Sequence, residues 1–259
     1  MKYELTDQTI RHNGRTLYRI KALKDFSDVA EDELGGFVES YDNLSQHNNC
    51  WIYRDAKVYG NAKVYGNAEV YGDAEVYGNA KVFDDAEVFC NAKVFGNAKV
   101  FDDAKVFGNA EVYDNAEVYD NAQIYGRAEV FGWAQIYGMA QIYGEAQIYG
   151  RAEVYDQAKV FDNAEIYYEA KICANTIVCS DIKIPNTNDI LFINLARYIT
   201  FYRCEDDIRC TIGCQHAITI EEFKERIYKN GNYTEVTLPK HRKDYLLAIE
   251  FAKKYFRVD

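Results

Sequence analysis

The sequence predicts a mainly β protein, a triangular parallel β-solenoid of about seven 18-residue coils between an irregular N-terminal cap and a small α+β C-terminal domain. Three observations carry this prediction. Alanine stands at every sixth position from Ala56 to Ala170, 20 times without a break. A β-branched residue follows each alanine by two positions, from Val58 to Ile172, and Tyr or Phe comes next in each hexad through Phe161 and Tyr167. Two turn formers, mostly Gly-Asn, Asp-Asp or Asp-Asn, complete the repeat.

Within a hexad, Ala-x-Val-aromatic alternates with period two, so Ala and Val face inward while the variable residue and the aromatic face outward. Gly, Asn and Asp tolerate the left-handed or bridge backbone of a sharp corner. The expected unit is therefore a four-residue strand and a two-residue corner, and three units close one coil around an interior narrow enough for Ala and Val. At a strand spacing of roughly 4.8 Å the stack is on the order of 34 Å long. A helical reading fails because six does not match a period of 3.6 and because Gly and β-branched residues oppose a helix.

The solenoid is expected over residues 51–184, with a cap over 1–50 and a separate domain over 185–259. Open strand edges at both ends of a solenoid need covering, which is the role expected of the flanks. In the cap, Thr16 to Leu23 reads as a strand and Leu34-Gly-Gly-Phe-Val38 as a tight turn into another, Gly35 and Gly36 supplying unusual backbone. After Pro185, Ile190 to Asn194, Tyr198 to Arg203 and Ile208 to Ile212 read as short strands. Thr219-Ile-Glu-Glu222 is a capping-box pattern opening one helix, and His241 to Phe256 carries the apolar face of a second.

The chain carries a net charge of −11. Residues 51–180 hold 20 Asp and Glu against 11 Lys and Arg, so about −9 of that charge belongs to the repeats. Such a surface repels nucleic-acid backbones and anionic membranes and favours a basic protein partner. No signal-peptide or membrane-spanning pattern occurs, so a cytoplasmic protein is expected, in the host cell if phage-encoded. The seven cysteines are odd in number and irregular in spacing, which reads as reduced, mostly buried thiols rather than a disulfide framework.

The unit Val-Tyr-Gly-Asn-Ala-Lys resembles the hexapeptide repeat of left-handed parallel β-helices. That resemblance implies left-handed coiling, an exception to the right-handed crossover rule. This chain departs from the family by placing an aromatic where Gly, Ala, Asp or Glu is usual. The flanks extend the likeness. Ile20-Lys-Ala-Leu-Lys-Asp-Phe-Ser-Asp-Val29, Leu34-Gly-Gly-Phe-Val-Glu-Ser40, Asn43-Leu-Ser45 and Cys50-Trp-Ile-Tyr53 resemble the start of uncharacterised hexapeptide-repeat proteins of bacteria, phages and prophages. Thr200-Phe-Tyr-Arg203, Gly213-Cys214, Glu221-Glu-Phe223 and Tyr245-Leu-Leu-Ala-Ile-Glu-Phe251 look like a domain that accompanies such repeats. Little about activity follows, because a fold does not set a function.

Acyl transfer is the obvious enzymatic reading of such repeats, and it needs a base beside the hydroxyl it activates. The four histidines, His12, His47, His216 and His241, all lie outside residues 51–180, so no catalytic residue and no cofactor are expected. Cys204, Cys210, Cys214 and His216 form a weak candidate metal cluster, whose spacing favours buried thiols over zinc. Two outward features remain as candidate partner surfaces. With an 18-residue coil, Tyr71, Phe89, Phe107 and Tyr125 fall in one column, together with Tyr53, Tyr143 and Phe161. Mutual stacking explains such a column more plainly than a partner does. Asp84, Asp85, Asp102, Asp103, Asp120 and Asp156 share one corner and form an acidic edge. Ordinary turn chemistry accounts for them, but an acidic rod imitating a nucleic-acid backbone is the sharper reading. The function expected is thus a non-enzymatic interaction protein, most specifically a phage-type inhibitor of a basic, nucleic-acid-handling host protein. A passive structural rod and an acyltransferase are the alternatives, and a homo-oligomer is compatible with either binding reading.

Overall fold

The computed structural model describes residues 1–195, 198–204, 207–212, 215–228 and 238–258, with backbone alone at 215, 216 and 238–240. Residues 51–184 form a parallel β-solenoid of about eight turns with a repeat of 18 residues. Its first face stacks eight strands from Trp51–Ile52 to Ile177–Val178, its second eight from Lys57–Val58 to Lys183–Ile184, and its third seven from Lys63–Val64 to Lys171–Ile172. Pairing is in register, residue i against i+18, as in Val94 against Val112 and Val112 against Val130.

Each strand holds two residues where the alternation suggests four. The corners account for the difference. Ala80 N–H reaches back to the Tyr77 carbonyl at 3.4 Å, so the aromatic and the next alanine already belong to the bend. They still join the ladder: Lys57 N–H donates to Ala74, Tyr59 N–H to Val76 and Asn61 N–H to Gly78. The inward assignment holds throughout, with every alanine from Ala56 to Ala170 and the branched residue beyond it at most 1% exposed. Every first corner residue from Arg54 to Ser180 has positive φ, between 52° and 75°. Glycine adopts this region freely and Asp tolerates it, which is why the two dominate that position.

At the N-terminal end, β1 (Tyr3–His12) and β2 (Arg15–Ala22) form an antiparallel hairpin, and β3 (Leu34–Val38) pairs with β2. β3 then runs parallel to Lys57–Val58 and hands the cap over to the second face. The expected tight turn at Gly35-Gly36 is instead the interior of this strand, and neither glycine has positive φ. Their role is close approach: a Cβ on Gly35 would lie 2.6 Å from the Ile52 carbonyl, and one on Gly36 2.5 Å from that of Ala56. Side chains close the remaining edges. Buried Asn43 donates to the Gly60 and Ala62 carbonyls at 2.9 Å, and buried Lys2 donates to that of Cys50 at 2.6 Å.

The C-terminal residues form a four-stranded antiparallel sheet, Ile190–Asn194, Tyr198–Arg203, Ile208–Ile212 and Gln215–Thr219, followed by α1 (Ile220–Tyr228) and α2 (Leu238–Phe256). The fourth strand was not expected, and α2 starts three residues before His241. The capping box is present: Thr219 Oγ1 accepts Glu222 N–H at 3.1 Å, and Glu222 Oε2 accepts Thr219 N–H at 2.9 Å. Phe201 and Cys210 pack under the helices against Phe223, Tyr245 and Ile249. On the opposite side of the sheet, Tyr202 joins the solenoid core. Its hydroxyl donates to the Ile177 carbonyl at 3.0 Å and also bonds Thr211, while Thr200 Oγ1 accepts Ile177 N–H. The tail therefore seals the last strand of the first face. Cys179 occupies an aromatic position there, buried against Thr211, because the sheet leaves no room for another ring.

Val112→Asp places an unpaired carboxylate in the middle of this interior, and unfolding free energy should fall by several kcal/mol. Tyr113 stacks on Phe95 and Phe131 and donates to Glu129, so Tyr113→Ser should cost only about 1–3 kcal/mol. Urea unfolding followed by circular dichroism measures both; a larger loss at Tyr113 would invert the assignment of inner and outer faces.

Candidate functional site

The acidic edge exists as a column. Asp84, Asp102, Asp120 and Asp156 each occupy a first corner position with φ of 54° to 56°, interrupted by Gly138. Their carboxylates act along the column: Asp102 Oδ2 accepts Asp120 N–H at 3.3 Å, Asp120 Oδ2 accepts Gly138 N–H at 3.0 Å, and Asp156 Oδ2 accepts Ala174 N–H at 3.1 Å. Each of these three ties its corner to the next coil, and the charge stays at the surface. Asp85 and Asp103 stand beside them, exposed, with Asp85 accepting from the Asn67 amide at 3.0 Å. A parallel amide ladder, Asn61 to Asn79 to Asn97 to Asn115, runs up another corner.

The aromatic columns are stacked face to face. Centroids of Tyr71, Phe89, Phe107 and Tyr125 follow one another at 4.7, 4.8 and 4.9 Å with planes within 7°. Tyr53 departs from the stack and meets Tyr71 edge-on at 88°, because its hydroxyl donates to Asp28 of the cap. Ring faces are thus committed to one another, leaving ring edges outward. Several tyrosine hydroxyls are bonded too, Tyr71 donating to Glu87 and Tyr59 to Glu75 at 2.7 and 2.8 Å. Burial, and then the carboxylate partner, raises the pKa values of Tyr59 and Tyr71, and burial with a bond to Glu165 takes that of Tyr149 up to about 12.

Of the candidate metal residues, Cys214 and the side chain of His216 lie outside the described residues. The other two diverge: Cys204 packs against the solenoid core and Cys210 beneath the helices. Burial pushes the Cys210 thiol up to about 12, which opposes a thiolate ligand. The described cysteines are all free, but only Cys50, Cys179 and Cys210 are buried, so burial is less general than expected. Cys90 is exposed because it takes a corner position.

Two features escaped the sequence reading. The first is long-range: the tip of the β1–β2 hairpin carries His12 onto the solenoid, its Nε2 2.9 Å from Glu75 Oε2, while Asn13 reaches Tyr59. Burial alone would raise the Glu75 pKa, but the hydrogen bonds from His12 and Tyr59 bring it below the ordinary value. The imidazole is engaged in holding the hairpin to the second face. The second was legible as a break in pattern. From Val130 to Gly144 no residue is charged, and the second corner positions carry Trp133 and Met139 in place of Asn or Asp. They are 63% and 60% exposed.

No protein-family model matches this chain, and neither does any curated protein. Among solved structures, the chain is similar to a UDP-N-acetylglucosamine acyltransferase of Arabidopsis, at 8% identity and a TM-score of 0.34, over 86% of this chain and 93% of that one. A likeness at that level carries nothing about chemistry. No helix among the described residues is long and apolar enough to cross a membrane.

The tyrosine environment sets a pH limit. With folded pKa values above the ordinary value of about 10, the protonated form is favoured by folding, so this contribution is complete below pH ~10 and is lost as pH rises toward 12. Melting temperature should hold up to pH ~10 and then fall, with phenolate absorbance of the native protein appearing later than that of the chain in urea. Coincident titration of the native and unfolded protein would contradict it.

Proposed function

We propose that this chain is a non-enzymatic binding protein whose solenoid presents a rigid acidic surface to the basic groove of a nucleic-acid-handling protein, and that occupying the groove inhibits that protein. The observation that carries this reading is the aspartate column with its fixed carboxylates. Asp102, Asp120 and Asp156 are held in place by backbone N–H groups of the following corner, so little ordering remains for a partner to impose. Charge density supports it as well. The 20 acidic and 11 basic residues of 51–180 leave nine net negative charges. Spread over roughly 34 Å they average one per ~4 Å, near the ~3.4 Å spacing of phosphates along one nucleic-acid strand. The inhibitory role comes from the resemblance to phage and prophage proteins.

The test replaces Asp84, Asp85, Asp102, Asp103 and Asp120 by Asn. Asparagine tolerates the left-handed corner and its amide oxygen still accepts the next N–H, so folding should survive. Affinity for a partner isolated from host lysate should fall at least tenfold, chiefly through slower association, and duplex DNA should compete with the wild-type complex. Wild-type binding should also weaken as salt shortens the Debye length from ~10 Å at 0.1 M toward ~3 Å at 1 M. Unchanged binding by the five-fold variant, together with insensitivity to salt and to DNA, would exclude the mimic.

A further inference from the structure

We propose that the uncharged coil, residues 130–144, is the anchoring site of the partner, which seats an apolar socket rimmed by Lys or Arg over Met139 and Trp133. The inference rests on the reading of this chain as a protein-binding module and locates where its binding energy is concentrated. Fifteen consecutive residues without charge make up most of one 18-residue coil in a solenoid otherwise studded with Lys, Glu and Asp. Of the five outward variable positions at and around this coil, 123, 135, 141 and 147 are Gln and 129 is Glu.

The fold does not require these substitutions. Ala134, Ile136, Ala140 and Ile142 are as buried as their counterparts in other coils. Trp133 N–H donates to the Gly150 carbonyl at 2.7 Å and Met139 N–H to that of Asp156 at 2.6 Å, the same bond that Asn61, Asn79 and Asn109 make at 2.7 Å. Unlike the column aromatics, Trp133 stacks on no other ring among the described residues. Two large apolar side chains are thus held out at the two corners that bracket the Gln135–Ile136 strand.

The surroundings give the partner its chemistry. Along the corner of Met139 the aspartate column is interrupted at Gly138, so Asp120 and Asp156 stand one coil to either side of the glycine next to the methionine. Glu129 and Glu145 bound the neutral stretch in sequence, and Trp133 shares a groove with Gln135, Arg151 and Glu153. Trp, Met and Arg at the centre with charge at the rim is the composition of an interface core. A second copy of this chain does not fit, because two prisms of the same negative sign would oppose their rims. A basic partner does: cations meet Asp120 and Asp156 while an apolar pocket closes over the side chain between them.

The probes are an amphipathic peptide of alternating Leu and Lys blocks and an oligolysine of the same charge, titrated against the full chain at 0.15 M and 0.5 M salt. Trp51 is fully buried, so a change in tryptophan emission on binding reports mainly Trp133. The Leu–Lys peptide should bind wild type at least tenfold more tightly than oligolysine, shift the emission, and retain that advantage at 0.5 M salt. The variant Trp133→Asn with Met139→Asn restores the commonest residue of the repeat and should fold. It should bind oligolysine as wild type does and lose the tenfold advantage of the Leu–Lys peptide. An advantage that persists in the variant, or that is missing in wild type while both peptides bind, overturns the anchor and leaves the acidic surface standing. Failure of both peptides to bind wild type overturns the acidic-surface reading along with it.

Discussion

Everything in this molecule depends on one backbone state recurring every sixth residue. The left-handed corner from Arg54 to Ser180 turns the chain often enough that a side contains only one inward alanine and one inward branched residue, and the interior is as narrow as those two side chains. A non-glycine residue in that state is strained by about 1–2 kcal/mol. Five corner aspartates, Asp102, Asp114, Asp120, Asp156 and Asp162, offset the strain by bonding the backbone of the next coil. The acidity of the solenoid is therefore in part a by-product of making corners without glycine. That is why charge on this edge and function on this edge are separable questions, and why Asn is the informative replacement.

The aromatic columns follow from the same geometry. A coil rise close to 4.8 Å matches the separation of stacked rings, so an outward aromatic at a fixed phase finds its partner automatically. Such columns brace the outside as the Ala and Val rows fill the inside. They end where another contact is better: at Tyr53, drawn to Asp28, and at Cys179, beneath the tail sheet.

What could be read in the sequence was whatever repeats. Period six located the coils, the buried rows, the columns and the acidic edge, because each depends on residues whose neighbours are fixed by the period. The Thr219–Glu222 box and three tail strands were legible from local pattern alone. What depends on distant, unrepeated contacts was not. β1 is a strand because the hairpin folds over the first coil, and Gly35 and Gly36 are glycines because Ile52 and Ala56 lie against them, neither of which shows locally. His12 falls outside the repeats in sequence yet against Glu75 in space. The Trp133–Met139 coil is legible too, as the one stretch of the repeats where charge is missing for 15 residues.

The three-sided coil also makes the chain a ruler with only three orientations. The N-terminal hairpin is bonded to the second face and the tail sheet to the end of the first, so the angle between them is set by how many hexads lie between. Adding or removing three hexads changes length by one rise of about 4.8 Å and leaves the two ends facing as before. Adding or removing a single hexad turns one end by a third of a revolution against the other while each cap keeps the coil it rests on. A lineage of such proteins can therefore lengthen in whole coils without re-aiming its ends, whereas any other step rotates one end relative to the other.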